Sequence, residues 1–280
     1  MNITTEYIIA PPTRWPSINW AELLRYRDLF FVLAWRDIAI RYKQTALGVL
    51  WAIFQPLVTM VIFTVIFNRM AGITSGDSTP YPIFLYVGLL LWQYYSNTLN
   101  NTSNSMLQNA AIIQKVYFPR LIIPTASAVA GLIDFAIGGV ILFGMMIFYH
   151  CYPQWLGIVL LPLLVGITFL SALSLGFTLA SLNIKYRDVR YALPFFIQIL
   201  MYLIPVIYPA KLLEKYLLAK WLALWLLPIS GVITVARSSL LGNSPIDWPL
   251  LGISLLMSIV YFFGGLYYFR KTERYFADIA

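Results

Sequence analysis

Long apolar runs, separated by short polar stretches, set the pattern of this chain. They cover roughly Leu47–Phe67, Ile83–Asn104, Leu121–Tyr149, Trp155–Leu182, Tyr191–Tyr208 and Pro249–Phe269. Each comes close to the ~20 residues that a helix needs to cross a hydrocarbon core about 30 Å thick. The pattern predicts an all-α integral membrane protein with six transmembrane helices. It divides the chain into a polar to amphipathic segment at 1–46, a membrane domain at 47–270 and a short tail at 271–280.

The segment before the first run has a pattern of its own. Asn19 and Glu22 have capping-box spacing, so a helix is expected to start there. Trp20, Leu24, Phe31, Trp35 and Ile38 then share one helical face. Glu22, Arg25, Arg36 and Asp37 lie away from it, and Arg27 intrudes at its edge. This predicts an amphipathic helix in the membrane interface, aromatic side down, with its arginines snorkelling to the headgroups. A soluble helix packed on the membrane domain has the same pattern.

Between the fifth run and the last lies 211–247. It holds another apolar stretch, Trp221–Ala236, broken at Pro228 and Gly231. Charge decides how to read it. With a cytoplasmic N-terminus and six crossings, fourteen of the nineteen Lys and Arg residues fall inside and five outside, a strong positive-inside bias. A seventh crossing would carry Arg270, Lys271 and Arg274 to the outer face. The stretch is therefore expected to be a re-entrant hairpin or pair of short helices, dipping in from outside and broken at its proline. Irregular backbone at such depth must be buried in protein or line a watery cavity.

Composition agrees. Of 280 residues, 60% are hydrophobic and 11% charged, against about 25% charged in ordinary soluble domains. The net charge of +8 does not point to nucleic acid, because the basic residues sit in short loops between apolar runs. His150 and Cys151 are the single histidine and cysteine, so a zinc site and an intrachain disulfide are not expected. The first 20 residues contain Glu6, Arg14 and three prolines, and no signal-peptide core is visible.

The second run carries unusual chemistry. Its lower part reads WQYYSNTLNNTSNS, Trp92–Ser105. Gln93, Asn97, Asn100 and Asn104 fall on one helical face, and Tyr94, Thr98, Asn101 and Ser105 on the adjacent one. An amide facing lipid loses its hydrogen bonds at a cost of several kcal/mol, so this stripe must face helices or water. One reading is a polar, aromatic-flanked pathway for a neutral, hydroxyl-rich substrate. Tyr94, Tyr95, Asn97, Asn100 and Asn101 are the lining candidates. Another is helix–helix glue. A third is simple emergence into the cytoplasm.

Asp134 is the one clear ionisable residue inside a run. An ion-coupled transporter is expected to show several buried charges or a relay, so the energy source is expected to be external. The simpler reading of the lone aspartate is a satisfied partner to a basic or polar group on a neighbouring helix. The chain holds no Gly-Lys pair and hence no P-loop. It is not expected to hydrolyse ATP, and no cofactor is expected in it. The loop Gln108–Pro124 mixes apolar residues with Gln114, Lys115 and Arg120. It suits a short amphipathic helix that inserts in a partner's groove, with Tyr117 and Phe118 as anchors. It suits a passive connection as well.

Several stretches carry a resemblance: RDIAIRYKQTALGVLWAIFQPL (Arg36–Leu57), QKVYFPRLIIP (Gln114–Pro124), NIKYRDVRYALP (Asn183–Pro194), PVIYP (Pro205–Pro209) and LPISGVITVARSSLLG (Leu227–Gly242). In this order they resemble the permease subunits of ABC exporters for O-antigen, capsule and teichoic-acid polysaccharides. Leu227-Pro228 stands where that family commonly has Asn-Pro. The resemblance implies a bacterial cytoplasmic (inner) membrane protein with both termini cytoplasmic. It implies a homodimer around a central channel, two copies of a separate ATPase using ATP-Mg, and a polysaccharide on undecaprenyl diphosphate or another lipid anchor. It implies an interface helix at 20–38 beside a substrate gate. It further implies a coupling helix at 108–120 (Gln114, Lys115, Tyr117, Phe118, Arg120) and an outer cap near 221–236. Within it, Arg25, Arg27, Arg41 and Lys43 are expected to attract the carrier's diphosphate, although positive-inside topology accounts for them too. Two alternatives are a permease of the same architecture for drugs or lipids, and an ion-coupled flippase for lipid-linked oligosaccharide.

Overall fold

The computed structural model describes residues 20–43, 49–76, 79–186, 188–215, 227–242 and 244–273. The described residues are helical and joined by turns. The elements are α1 (Trp20–Arg25), α2 (Arg27–Lys43), α3 (Val49–Phe63, continued by a π-turn at Thr64–Met70), α4 (Tyr81–Gln108) and α5 (Ala110–Ile113). Then follow α6 (Ile122–Phe148), α7 (Trp155–Lys185), α8 (Val189–Leu203), a 3₁₀ turn at Ala210–Lys215, α9 (Pro228–Leu241) and α10 (Trp248–Thr272).

Four helices are long and apolar enough to cross a membrane: Leu50–Met70, Ile122–Phe148, Trp155–Lys185 and Trp248–Thr272. Helix α4, with 28 residues, spans about 42 Å at 1.5 Å per residue. It is less apolar because of its amide stripe. The protein is a multi-pass membrane protein. The fifth predicted run does not form one long helix. Helix α8 has 15 residues, about 22 Å, and the chain beyond it, Ile204–Tyr208, is not helical. Helix α9 has 14 residues and is also shorter than the hydrocarbon core is thick. Of the predicted re-entrant stretch, 221–226 lies outside the described residues, as do Asn19 of the capping box and the tail from 274.

Helix α4 is the axis of the bundle. It packs on α6, α7 and α9, and α7 packs in turn on α10. The apolar part of α4, from Ile83 to Leu91, meets Ile229, Val232 and Ile233 of α9 in one core. Small residues let backbones approach. A β-carbon on Gly265 of α10 would stand 2.2 Å from the Ser174 carbonyl oxygen of α7. Such close packing supplies the attraction that lipid-exposed surfaces lack in a bilayer. A second core joins α2 (Leu33, Ala34), the loop after α5 (Phe118, Leu121), α7 (Phe177, Ile184) and Phe269 of α10.

The N-terminal helix has two unlike sides. Leu33 and Ala34 are buried against the bundle, while Leu24, Phe31 and Trp35 remain about two-thirds exposed. The helix docks on the domain by one side and keeps an aromatic side free.

Candidate functional site

A cleft of about 470 Å³ opens beside the middle of α4. Residues from α2 (Arg41, Tyr42), α3 (Trp51, Gln55, Thr59), α4 (Gln93, Tyr94, Asn97, Asn101), α6 (Asp134, Phe135) and α8 (Met201) line it. The α4 contribution follows from helical spacing. Gln93, Asn97 and Asn101 stand four residues apart on one side of the helix, and Asn97 is exposed. The Tyr94 ring packs on Phe135, centroids 5.4 Å apart. Uncharged amides beside aromatic faces can exchange hydrogen bonds with hydroxyl groups and stack on sugar rings.

The amide stripe divides between two jobs. Asn97 and Asn101, with Tyr94, are at the cleft. Asn100 is not among its lining residues: its carbonyl oxygen and Oδ1 accept from Asn104 Nδ2 at 2.9 and 3.1 Å. Asn183 Nδ2 of α7 donates to Asn104 Oδ1 at 3.0 Å and to the Ser103 carbonyl at 3.1 Å. The lower stripe is therefore glue between α4 and α7. Tyr95 corrects the expectation as well. It is 1% exposed, packs on Trp92 in the core and does not line the cleft. Adjacent residues on a helix point about 100° apart, so Tyr94 and Tyr95 cannot face the same way.

At the cleft's edge Arg41 and Tyr42 both bond Asp134. Arg41 Nη1 donates to Asp134 Oδ2, and the Tyr42 hydroxyl donates to Oδ1. Burial, and then the hydrogen bond to Asp134, push the Tyr42 phenol well above its usual range, which keeps it a donor. A second tie lies lower on the same two helices. Ser127 Oγ donates to Asp37 Oδ2 at 2.8 Å, and Arg36 pairs with Asp37 at 2.7 Å. Of the other cations proposed near the headgroups, Arg25, Arg27 and Lys43 are exposed. Arg27 lies 3.7 Å from Asp28.

The loop after α4 differs in part from its prediction. Its helix is a single turn, α5. Gln114, Lys115 and Tyr117 are exposed, Tyr117 by 83%. Phe118 is 4% exposed and belongs to the second core, so it is not a free anchor. Arg120 is tied to the end of α10. Its Nη1 donates to the Glu273 carbonyl and its backbone N–H to Glu273 Oε1 at 3.4 Å.

Arg237, one of the five cations that the positive-inside count leaves outside, is buried in the structure. The guanidinium donates to the carbonyls of Phe84 (3.0 Å), Pro205 (2.7 Å), Val206 (2.5 Å) and, weakly, Tyr208 (3.5 Å). It also lies 3.7 Å from the centroid of the Phe84 ring. The Tyr81 hydroxyl donates to the Ile207 carbonyl at 2.7 Å. The carbonyls of 205–208 in the broken segment are thus all satisfied, as nonhelical backbone in a bundle requires. The sequence signal was there: an arginine ending an apolar stretch, and prolines at 205 and 209 that free nearby carbonyls.

Comparison with known proteins adds independent evidence. Residues 28–241 match the ABC-2 type transporter family. The chain is 26% identical over 259 residues to the O-antigen export system permease protein RfbA of Myxococcus xanthus, covering 92% of this chain and 97% of that protein. A Klebsiella pneumoniae protein of the same name is 26% identical over 253 residues, with coverage of 90% and 95%. The polysialic acid transport protein KpsM of Escherichia coli is 24% identical over 240 residues, covering 85% of this chain and 91% of KpsM.

Proposed function

The chain belongs to the ABC-2 type transporter family, and from that premise we propose that it is the membrane subunit of an ATP-driven exporter of lipid-linked polysaccharide. The observation that carries this reading is the cleft. It lies beside the middle of α4, is lined by amides, aromatic rings and the Arg41–Asp134 pair, and belongs to a chain whose relatives are named for O-antigen export and polysialic acid transport. Two copies pair around a channel, and each contributes six crossings. In this reading α8 with the broken segment at Ile204–Tyr208 makes the fifth, and α9 belongs to a re-entrant cap. The protein sits in the bacterial inner membrane with both termini cytoplasmic. Two copies of a separate ATPase bind ATP-Mg. They dock at Gln114, Lys115 and Tyr117, the exposed part of the loop after α4. Arg120 and Phe118 hold that loop to the bundle, so a push on it moves α4, α6 and α10 together. The sugar chain passes Tyr94, Asn97 and Asn101. Arg25, Arg27, Arg41 and Lys43 attract the diphosphate of an undecaprenyl carrier, since cations bind dianionic phosphate well.

Deletion tests this reading. Cells lacking the protein are expected to lose surface polysaccharide and to gain no drug sensitivity. A soluble ATPase is expected to copurify with it and to be lost on Lys115→Glu. New drug sensitivity with intact surface polysaccharide would favour a drug exporter of the same architecture. Transport in vesicles without any ATPase would favour an ion-coupled flippase.

A further inference from the structure

The contact between Arg41 and Asp134 joins two elements of different kinds. Arg41 ends the N-terminal helix α2, and Asp134 lies twelve residues into α6. Two donors, a guanidinium and a phenol, converge on the two oxygens of one carboxylate. That donor pair does not select carboxylate over phosphate. A guanidinium fork fits either anion, and a phenol donates to either. The contact is also accessible. Both side chains line the cleft, and they are 32% and 22% exposed. A ligand entering the cleft therefore meets a cation whose site is already taken by an anion of the protein.

We propose that Asp134 holds the place of a ligand phosphate, and that a diphosphate entering the cleft displaces it from Arg41 and Tyr42. This rests on the polysaccharide-export reading and adds to it a recognition step. A phosphate dianion competes better for Arg41 than a singly charged group does, because its attraction to the cation is larger. When Arg41 changes partners, α2 loses its upper tie to α6 and keeps the lower one at Asp37–Ser127. The end of α2 is then free to swing while the rest of the helix stays docked. Substrate arrival thereby becomes a movement of the helix that leads into α3, whose Trp51, Gln55 and Thr59 line the same cleft.

The arrangement makes a prediction opposite in sign to that of a structural ion pair. A competitor that occupies the site lowers apparent affinity by the fraction of molecules left competent. If the clasp closes about nine molecules in ten, removing it tightens binding about tenfold. The experiment measures equilibrium binding of a polyprenyl diphosphate to the full-length permease in nanodiscs, for wild type, Asp134→Asn, Tyr42→Phe and Arg41→Gln. Asp134→Asn is expected to bind about tenfold tighter, and Arg41→Gln to lose most binding. Tyr42→Phe weakens the clasp and the ligand contact together, so its affinity is expected to change less than twofold. It keeps the test alive if Asp134→Asn folds poorly, because a tenfold loss there would show that Tyr42 serves the ligand alone. Nanodiscs doped with phosphatidylglycerol instead separate a membrane headgroup from the carrier, and they are expected to show no tightening in Asp134→Asn. Equal tightening with phosphatidylglycerol overturns the diphosphate assignment. Binding by wild type that is unchanged or weaker in Asp134→Asn overturns the displacement and leaves the export reading intact. No binding by any variant would take down both.

Discussion

Arg237 and Arg41 both belong to this bundle, and their surroundings are opposites. Arg237 is held by backbone carbonyls of α4 and the broken segment and covered by the Phe84 ring. Those partners cannot leave without unfolding the chain that carries them. Arg41 is held by one carboxylate at the edge of a polar cleft, a partner that another anion can replace. A charge within a membrane bundle is costly in either case, buried at Arg237 and half-buried at Arg41. The difference lies in what the cost supports: a fixed backbone break at Ile204–Tyr208, and an exchangeable contact beside the proposed sugar route.

The largest expected effect tests the fixed side. Arg237→Met leaves the Phe84, Pro205 and Val206 carbonyls without their donor, at about 1–3 kcal/mol for each buried unsatisfied group. The variant is expected to lose most of its folded yield in detergent. Arg237→Lys is expected to rescue little, since a point ammonium cannot reproduce the fork. A Met variant that melts like wild type would break the contrast between the two arginines. Phe118 and Tyr117 sharpen the same distinction at the coupling loop. Phe118→Ala is expected to cost about 3–5 kcal/mol as a core truncation. Tyr117→Ala is expected to change stability by less than about 0.5 kcal/mol while weakening copurification of the ATPase. A reversed pair of phenotypes would mean that the docking surface has been misplaced.

The amide stripe gives the finest version. Asn183→Leu removes the bonds to Asn104 and Ser103 and is expected to cost about 1 kcal/mol, read as a lower melting temperature. Asn97→Leu, at the cleft, is expected to leave melting within about 0.5 kcal/mol of wild type and to reduce surface polysaccharide sharply. If both asparagines move stability alike, the stripe is all glue and the pathway reading fails.

Much of this was legible in the sequence. Apolar runs of the right length marked α6, α7 and α10 to within a few residues, because length and hydropathy bear directly on a bilayer. The polar stripe of α4 was visible because no lipid-facing helix tolerates it. What could not be read was which amide faces which neighbour. Periodicity put Asn97 and Asn100 on one face, but Asn104, held by Asn183 of α7, bonds Asn100, while Asn97 lines the cleft. Tyr95 and Phe118 were missed for a related reason: an aromatic side chain in a polar stretch looks alike whether it anchors a ligand or fills a core. The early end of α8 was hidden too, because prolines and apolar residues there read as a continuous run. The satisfaction of that break depends on Arg237, some thirty residues away in the chain.

The most direct test of the central claim places a photo-crosslinking residue at positions 95, 97, 100 and 101, one at a time, in cells making the polysaccharide. Adducts to sugar are expected at 97 and 101, which line the cleft, and not at 95, which sits in the core, or at 100, whose amide is bonded to Asn104 outside the cleft lining. Adducts at 95 and 100 with none at 97 would contradict the account, because the sugar would then run past residues that do not line the cleft.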